Sequence, residues 1–334
     1  MKKITKYLLF CLIGFSLLLG ACSNSTQNTA SGAVKKSDFP KKPIELIVPL
    51  GPGSTTDTIA RVLANGVTKY LPKEATVVVV NKPGGGGIIG TTDVFNAKPD
   101  GYTIGLVQSA ALTLQPHYGQ ATYTHDSFTP IMKVTSDPTL LLVRNDSPLK
   151  TYDDWLEYVK QNPGKFIFAI TGKGGNGHVA VEAINKEKGV KTNILSTDAA
   201  AEMVNALLGG HTDGAIVPYI TSKPQLDAGK VRALVNVGAT KNDDVNDIPL
   251  LPEIGIDKTF DSFFGIVAPK GLPEEEQNIL HDAFKKTLED PEVIGQLKKT
   301  FIEPNYEGPE DFQKTITKNY KMNEKILKEI GMIK

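Results

Sequence analysis

The sequence predicts an α/β protein of two units, and three observations carry that prediction. Apolar strand-like runs alternate with segments of helical spacing, first over 43–109 and again over 165–238. The run "ATVVVVN" at 75–81 shows no in–out alternation, which is how strands covered on both faces of a parallel sheet read. About 300 residues remain beyond the N-terminal leader, a length that usually divides into two lobes.

In chain order, 43–50 ("PIELIVPL") is a strand and 56–70 a helix, with Ile59, Val62, Leu63, Gly66 and Val67 on one face. The strand 75–81 follows, then the loop "KPGGGG", a helix over 88–96 and a strand over 102–109. This β-α-β-α-β order predicts parallel pairing through right-handed crossovers. A helix over 152–161 turns Trp155, Leu156 and Val159 inward. Strands over 165–170, 191–196, 212–218 and 231–238 then alternate with helices over 179–188, 199–208 and 221–228, a second α/β unit. The chain returns through "SFFGIVAPKGLP" (262–273) to helices over 274–288, 291–300 and 309–329. The acids of "EEE" at 274–276 favour the positive end of the first of these helices. No 20–50-residue repeat is evident.

The leader is not fold. Lys2, Lys3 and Lys6 precede an apolar run from Tyr7 to Leu19, too short to span a bilayer and ending in small residues. That pattern is a secretory signal over 1–21. Its end, "LLLGAC", resembles a bacterial lipoprotein signal, which would make Cys22 the lipidated first residue and tie the protein to a membrane. Residues 22–39 are small and polar and read as a flexible tether. Cys11 leaves with the leader, so no cysteine remains for a disulfide or for catalysis.

Basic and acidic side chains number 37 each, and loss of the leader lysines leaves the acids in slight excess. Such a balance argues against a nucleic-acid partner. The arginines are Arg61, Arg144 and Arg232. Several arginine forks around an anion are therefore not expected, and backbone N–H groups must do most of any anion holding.

Two stretches supply such groups. In "VPLGPGSTTD" a strand ends at Leu50 and Gly51–Ser54 turn the chain into a helix; in "AITGKGGNGH" a strand ends at Ile170 and Thr171–Gly177 do the same, with His178 at the helix start. The first N–H groups of a helix lack internal partners and carry about half a positive charge, so an anion can sit there. The first stretch lacks the lysine of a phosphate-binding P-loop, and "GKGGNG" lacks the acid of a dinucleotide fingerprint. Neither stretch therefore reads as a phosphate loop, and a tight strand-to-helix turn that holds no ligand is the alternative for each. Asp57 and Arg61 read as an i,i+4 pair. His178 and Glu182 could share one helix face but have no third metal ligand, and His117, His125, His211 and His281 show no metal spacing. No nucleophile elbow, zinc motif or Ser/His/Asp set appears, so neither catalysis nor a cofactor is expected.

Together these segments resemble a substrate-binding receptor of the tripartite tricarboxylate transporter class, from about Pro40 to Ile333. The landmarks are "KPIELIVPLGPGSTTDTIARVLA", "VVVVNKPGGGGIIGTTDVFNAKPDGYTIGLV", "FTPIMKV", "NPGKFIFAITGKGGNGH", "LLGGHTDGAI", "AGKVRALV", "IPLLPEIG", "FFGIVAPKGLP" and "LEDPEV". The resemblance implies a two-lobed Venus-flytrap fold of the type II periplasmic-binding-protein kind. It would have two parallel-rich sheets and hinge strands near 140–144 and 264–269. Lobe 1 is then 40–141 plus 265–334, and lobe 2 is 142–264. It further implies a small carboxylate bound between the lobes and handed to integral-membrane permease subunits. By position, the ligand residues are Gly53, Ser54, Thr55, Thr56, Gln108 and Ser109 in lobe 1. In lobe 2 they are Thr171, Gly172, Gly174, Gly175, Asn176 and His178. Four departures bear on the ligand's far end: the hydroxyl of Ser54, the added cation Lys173, Asp198 in "STDA" where the family has a lysine, and Tyr219 after Val217–Pro218. Asp198 would suit an amino group and Lys173 a second acid. A sensor subunit presenting the ligand to a signalling partner would use the same cleft, as would a secreted enzyme.

Overall fold

The computed structural model describes residues 38–172, 174–197 and 199–334. The signal, Cys22, most of the tether, Lys173 and Asp198 lie outside the described residues. The elements alternate as expected. β1 (Ile44–Val48), α1 (Thr55–Val67), β2 (Val77–Asn81), α2 (Ile88–Asn96), β3 (Thr103–Gln108) and α3 (Ser109–Thr113) come first. β4 (Phe128–Asp137), β5 (Thr139–Arg144), α4 (Tyr152–Gln161), β6 (Ile167–Thr171), α5 (Asn176–Lys188), β7 (Asn193–Thr197) and α6 (Ala200–Leu208) follow. Then come β8 (Gly214–Pro218), α7 (Tyr219–Asp227), β9 (Val231–Asn236), β10 (Ser262–Pro269), α8 (Glu274–Glu289), α9 (Pro291–Lys298), β11 (Pro304–Glu307) and α10 (Pro309–Ile330).

Two sheets form the two lobes. The first has the order β11-β4-β10-β3-β1-β2 and the second β7-β6-β8-β5-β9. β1, β2 and β3 pair in parallel, as the crossover pattern predicts, and so do β6, β7 and β8. Both sheets are nevertheless mixed, because β10, β4 and β11 extend the first antiparallel and β5 and β9 the second. The chain crosses between sheets twice. β4 belongs to the first sheet and β5 to the second, with only Pro138 between them. The return runs into β10 at Ser262.

Each α/β turn places a helix mouth at the cleft. α1 forms because Ser54 caps it, its Oγ accepting from Asp57 N at 3.2 Å, and because Ile59, Leu63 and Val67 fall on one buried face. Burial of those three is worth roughly 1.5–3 kcal/mol each. Gly66 lets α1 approach its neighbours: a Cβ there would lie 2.6 Å from Val293 Cγ2 and 2.9 Å from Thr287 Cγ2. α4 carries a capping box between Thr151 and Asp154, and its Trp155 is fully buried against Phe166 and Phe168, as its helical spacing predicts. The glycines of "PGGGG" turn the chain with positive φ at Gly84, Gly85, Gly86 and Gly87, which only glycine adopts readily.

α10 ties the lobes together. Phe312 and Ile316 join the core beneath the first sheet, while Ile326 and Leu327 join the core of the second. Phe312 lies flat on β10 because residue 265 is glycine; a Cβ there would stand 2.1 Å from Phe312 Cζ. The folded part is under way by Phe39, which is buried edge-on against Tyr102 at 5.0 Å between centroids.

Candidate functional site between the lobes

At the mouth of α1 the organising residue is Asp57, 3% exposed. Its Oδ2 accepts from Gly53 N at 2.9 Å and Arg61 Nε at 3.0 Å, and its Oδ1 accepts from Asn81 Nδ2 at 2.9 Å. Arg61 Nη2 also lies 2.9 Å from Oδ1, so the expected i,i+4 pair is a two-pronged fork. Burial pushes the Asp57 carboxyl up, but the bonds from Arg61, Gly53 and Asn81 outweigh it and hold it below the usual range. This arrangement spends several of the expected ligand donors. Gly53 N–H goes to Asp57, Ser54 N–H goes to Gly51 O at 3.2 Å, and Ser54 Oγ caps the helix. No hydrogen bond ties down the N–H of Thr55 or Thr56. Those two are the donors left for an anion, and Thr56 Oγ1 beside them is buried without a partner.

The mouth of α5 is built differently. His178 Nδ1 accepts the Gly174 N–H at 2.9 Å, which fixes the glycine loop and leaves the other ring nitrogen 4.0 Å from Glu182 Oε1. His178 therefore shapes the loop. Gly172 N–H is held by Thr197 O at 3.1 Å, whereas the N–H groups of Asn176 and Gly177 have no bond to any of the described residues. The Asn176 side chain reaches across to the first lobe, donating to Ser109 Oγ at 3.3 Å and to Asp261 O at 3.0 Å. Ser109 Oγ itself donates to Asp261 O at 2.9 Å. Beside this contact Gly174, at φ +81°, faces Tyr118, whose ring would lie 3.0 Å from a Cβ placed there.

Elsewhere between the lobes, where the chain crosses from one sheet to the other, lies a small, partly open cavity of about 50 Å³. Thr55 and Ile59 of α1, Asp137 and Pro138 at the crossing, Ile220 of α7 and the 240–242 loop border it. Ile220 also packs against the core of the first lobe. Asp137 is 8% exposed. Its Oδ1 accepts a long bond from Ile220 N at 3.4 Å, and its Oδ2 is buried with no partner. Burial pushes this carboxyl up to about 8. Asn242 Oδ1 is a second unpartnered buried acceptor at the same cavity. Lys241 borders the cavity too, but its Nζ is held by Glu253 Oε1 at 3.1 Å and Asn246 O at 3.3 Å.

The structure thus brings Ser109, Gly174 and Asn176 to one interlobe contact and opens Thr55 onto the cavity. It turns two expected ligand residues elsewhere. Gln108 Nε2 is directed at Gly86 O, 3.5 Å away, and the Tyr219 hydroxyl donates to Asp244. Thr171 and Gly175 sit at the strand end and helix cap, where the loop needs them. Among the described residues no cluster of three His, Cys, Asp or Glu could hold a metal. Sequence reading missed Asp137. The available signal was an acid standing before proline between two apolar strands, "KVTSDPTLLLV".

Comparison with known proteins agrees with the fold. The family described as tripartite tricarboxylate transporter family receptor matches residues 59–332. A curated relative, the "UPF0065 protein in gbd 5'region" of Cupriavidus necator, is 31% identical over 302 residues, 89% of this chain and 90% of its own. The crystal structure of a TctC solute binding protein from Polaromonas is 31% identical with a TM-score of 0.75, covering 87% of this chain and 99% of its own. R. palustris Rpa4515, solved with adipate, is 26% identical with a TM-score of 0.77, over 88% of this chain and 99% of its own.

Proposed function

The chain belongs to the tripartite tricarboxylate transporter receptor family, and from that premise we propose that it is an extracytoplasmic solute-binding lipoprotein. It captures a small organic carboxylate between its lobes and delivers it to the permease subunits of a tripartite membrane transporter. The observation that carries the carboxylate is the unbonded N–H of Thr55, at the positive end of a 13-residue helix and bordering the interlobe cavity, with the unbonded N–H of Thr56 next to it. Asn176 and Gly177 at the mouth of α5 do not border this cavity and belong to the separate contact with Ser109 and Asp261. Closure over the ligand excludes water and strengthens each of these bonds. The adipate held by the R. palustris neighbour is a carboxylate of this kind. Cys22, at the end of "LLLGAC", carries the lipid, and the tether gives the receptor reach from the membrane.

One preparation tests the reading with two readouts. The full chain is taken from membranes in mild detergent and screened by thermal shift against dicarboxylates, tricarboxylates, aromatic acids and acidic amino acids. At least one acid raises the melting temperature. Thr55→Pro removes a donor at the first helical position, where proline is tolerated, and weakens that acid's binding by about 10–100-fold, the worth of a bond to a charged group. In the second readout, Cys22→Ser moves the protein to the soluble fraction. An unresponsive screen sinks the receptor reading, and a Cys22→Ser chain that stays in the membrane sinks the anchor.

A further inference from the structure

The cavity beside α1 is acidic where a dicarboxylate receptor needs donors. Asp137 borders it together with Thr55 and has one carboxyl oxygen buried and unpartnered, and Asn242 Oδ1 adds a second unsatisfied acceptor. Glu303 also borders the cavity, and Lys241 is already committed to Glu253. An acceptor left dry costs about 1–3 kcal/mol, more when charged. Among the described residues no cation pairs with Asp137; burial keeps its carboxyl neutral, and a cation brought by a ligand is what would ionise it.

We propose that Asp137 receives a protonated amino group, so that the ligand of this cavity is an amino-bearing carboxylate. Its acid end lies on the free N–H groups of Thr55 and Thr56, and its ammonium lies on Asp137 Oδ2. This rests on the carboxylate-receptor reading above and narrows it. A carboxylate and an ammonium on one small molecule match a cavity with helix-mouth donors on one wall and an unpaired carboxyl on another. Asp137 sits at the sheet crossing, one residue from Pro138, so engaging it also joins the ligand to the strand about which the lobes meet. Binding has a proton consequence. Burial keeps Asp137 protonated in the free protein near neutrality, and an ammonium against Oδ2 favours the carboxylate. The proton leaves to buffer while the ligand keeps its own.

Calorimetry on the full chain tests this with matched pairs that differ by the amino group. The pairs are succinate and L-aspartate, glutarate and L-glutamate, 4-methylpentanoate and L-leucine, and 3-phenylpropionate and L-phenylalanine. In at least one pair the amino member binds at least about tenfold tighter, the effect of ~1.4 kcal/mol. Titrations in two buffers of different ionisation heat show up to one proton released. Asp137→Asn, which keeps the shape and can donate to a neutral or anionic oxygen, cuts the preference to under about threefold and abolishes the proton release. If a deaminated acid binds as tightly as its amino partner, or Asp137→Asn leaves the preference intact, the amino-group proposal is overturned while the carboxylate receptor stands. If no member of any pair binds, the amino-group proposal falls, and the wider acid screen above decides the receptor reading separately. Should Asp137→Asn not fold, the wild-type pair preference and proton release decide alone.

Discussion

Where α3 faces α5 the lobes touch through satisfied polar atoms: Asn176 to Ser109 and Asp261, and Ser109 to Asp261. Where α1 faces α7 they meet around a cavity holding polar atoms without partners, Asp137 Oδ2 and Asn242 Oδ1. Both sides lie between the same two sheets, so the difference is not one of fold. On the first side the sequence supplies both halves of these bonds and leaves one neutral group, the Tyr118 hydroxyl beside Gly174, without a partner among the described residues. On the second it supplies one half. A fold can afford a few unpaired buried groups only where something else completes them, and that contrast separates the part of the cleft that closes the receptor from the part that reads the ligand.

Steric change on the satisfied side breaks the comparison most sharply. Gly174→Val puts a β-branched side chain at φ +81° and against the Tyr118 ring, so the contact between lobes cannot form as it stands. Because the clash lies across the lobes, opening relieves it and each lobe keeps its core. The expected result is ligand affinity down by at least about 100-fold, with local strain costing only about 1–2 kcal/mol of stability. Solution scattering would show a larger radius of gyration. Unchanged affinity and size would mean that this side does not control closure.

The two buried aspartates sharpen it through pH. Asp57, held below its ordinary pKa, adds stability that is present above the unfolded value and lost only as pH falls through its folded pKa. Asp137, held at about 8, behaves oppositely. Its contribution is complete below the unfolded pKa and is lost as pH rises towards 8. Between pH 5 and 7 Asp57 is ionised in both states and contributes no slope, whereas Asp137 lowers stability by about 1.4 kcal/mol per pH unit. Denaturant unfolding of the ligand-free protein at pH 5, 6 and 7 should show that slope in wild type minus Asp137→Asn. Parallel curves would place Asp137 in water and remove its special status.

How much of this was legible follows from how local each cause is. The parallel cores, the caps of α1 and α4 and the helix mouths depend on neighbours a few residues apart, and strands such as β3 fall within a residue of their expected ends. β4 and β11 were not legible, because β4 contains Pro130 and the buried Lys133, whose partner Glu307 is far along the chain. The site was readable as two helix mouths, but not which donors remain free there. That Gly53 N–H is spent on Asp57 depends on one loop's conformation. Asp137 differs from an ordinary surface aspartate only because Ile220 and the 240–242 loop cover it. Desolvation by another lobe leaves no mark in local sequence.

The smallest test separates a bond that closes from a bond that binds. Asn176→Ala deletes two hydrogen bonds, yet Asp261 O keeps the Ser109 hydroxyl and Ser109 Oγ keeps its acceptor. No buried group is orphaned, so the loss should be near the net value of one hydrogen bond, about 1 kcal/mol. The Ser109 part of that loss falls on the closed state, since that bond spans the lobes, whereas Asp261 lies where the chain returns between the sheets. A ligand that binds the closed state must then offset the Ser109 part, and affinity drops by up to about fivefold for every ligand alike. A readout on the α1 side behaves otherwise: there a change alters the ratio between an amino acid and its deaminated partner. Measuring both members of one pair in Asn176→Ala therefore decides the matter. An equal loss for the two places Asn176 in closure, and a loss confined to one member would make it a ligand contact and erase the division between the two sides.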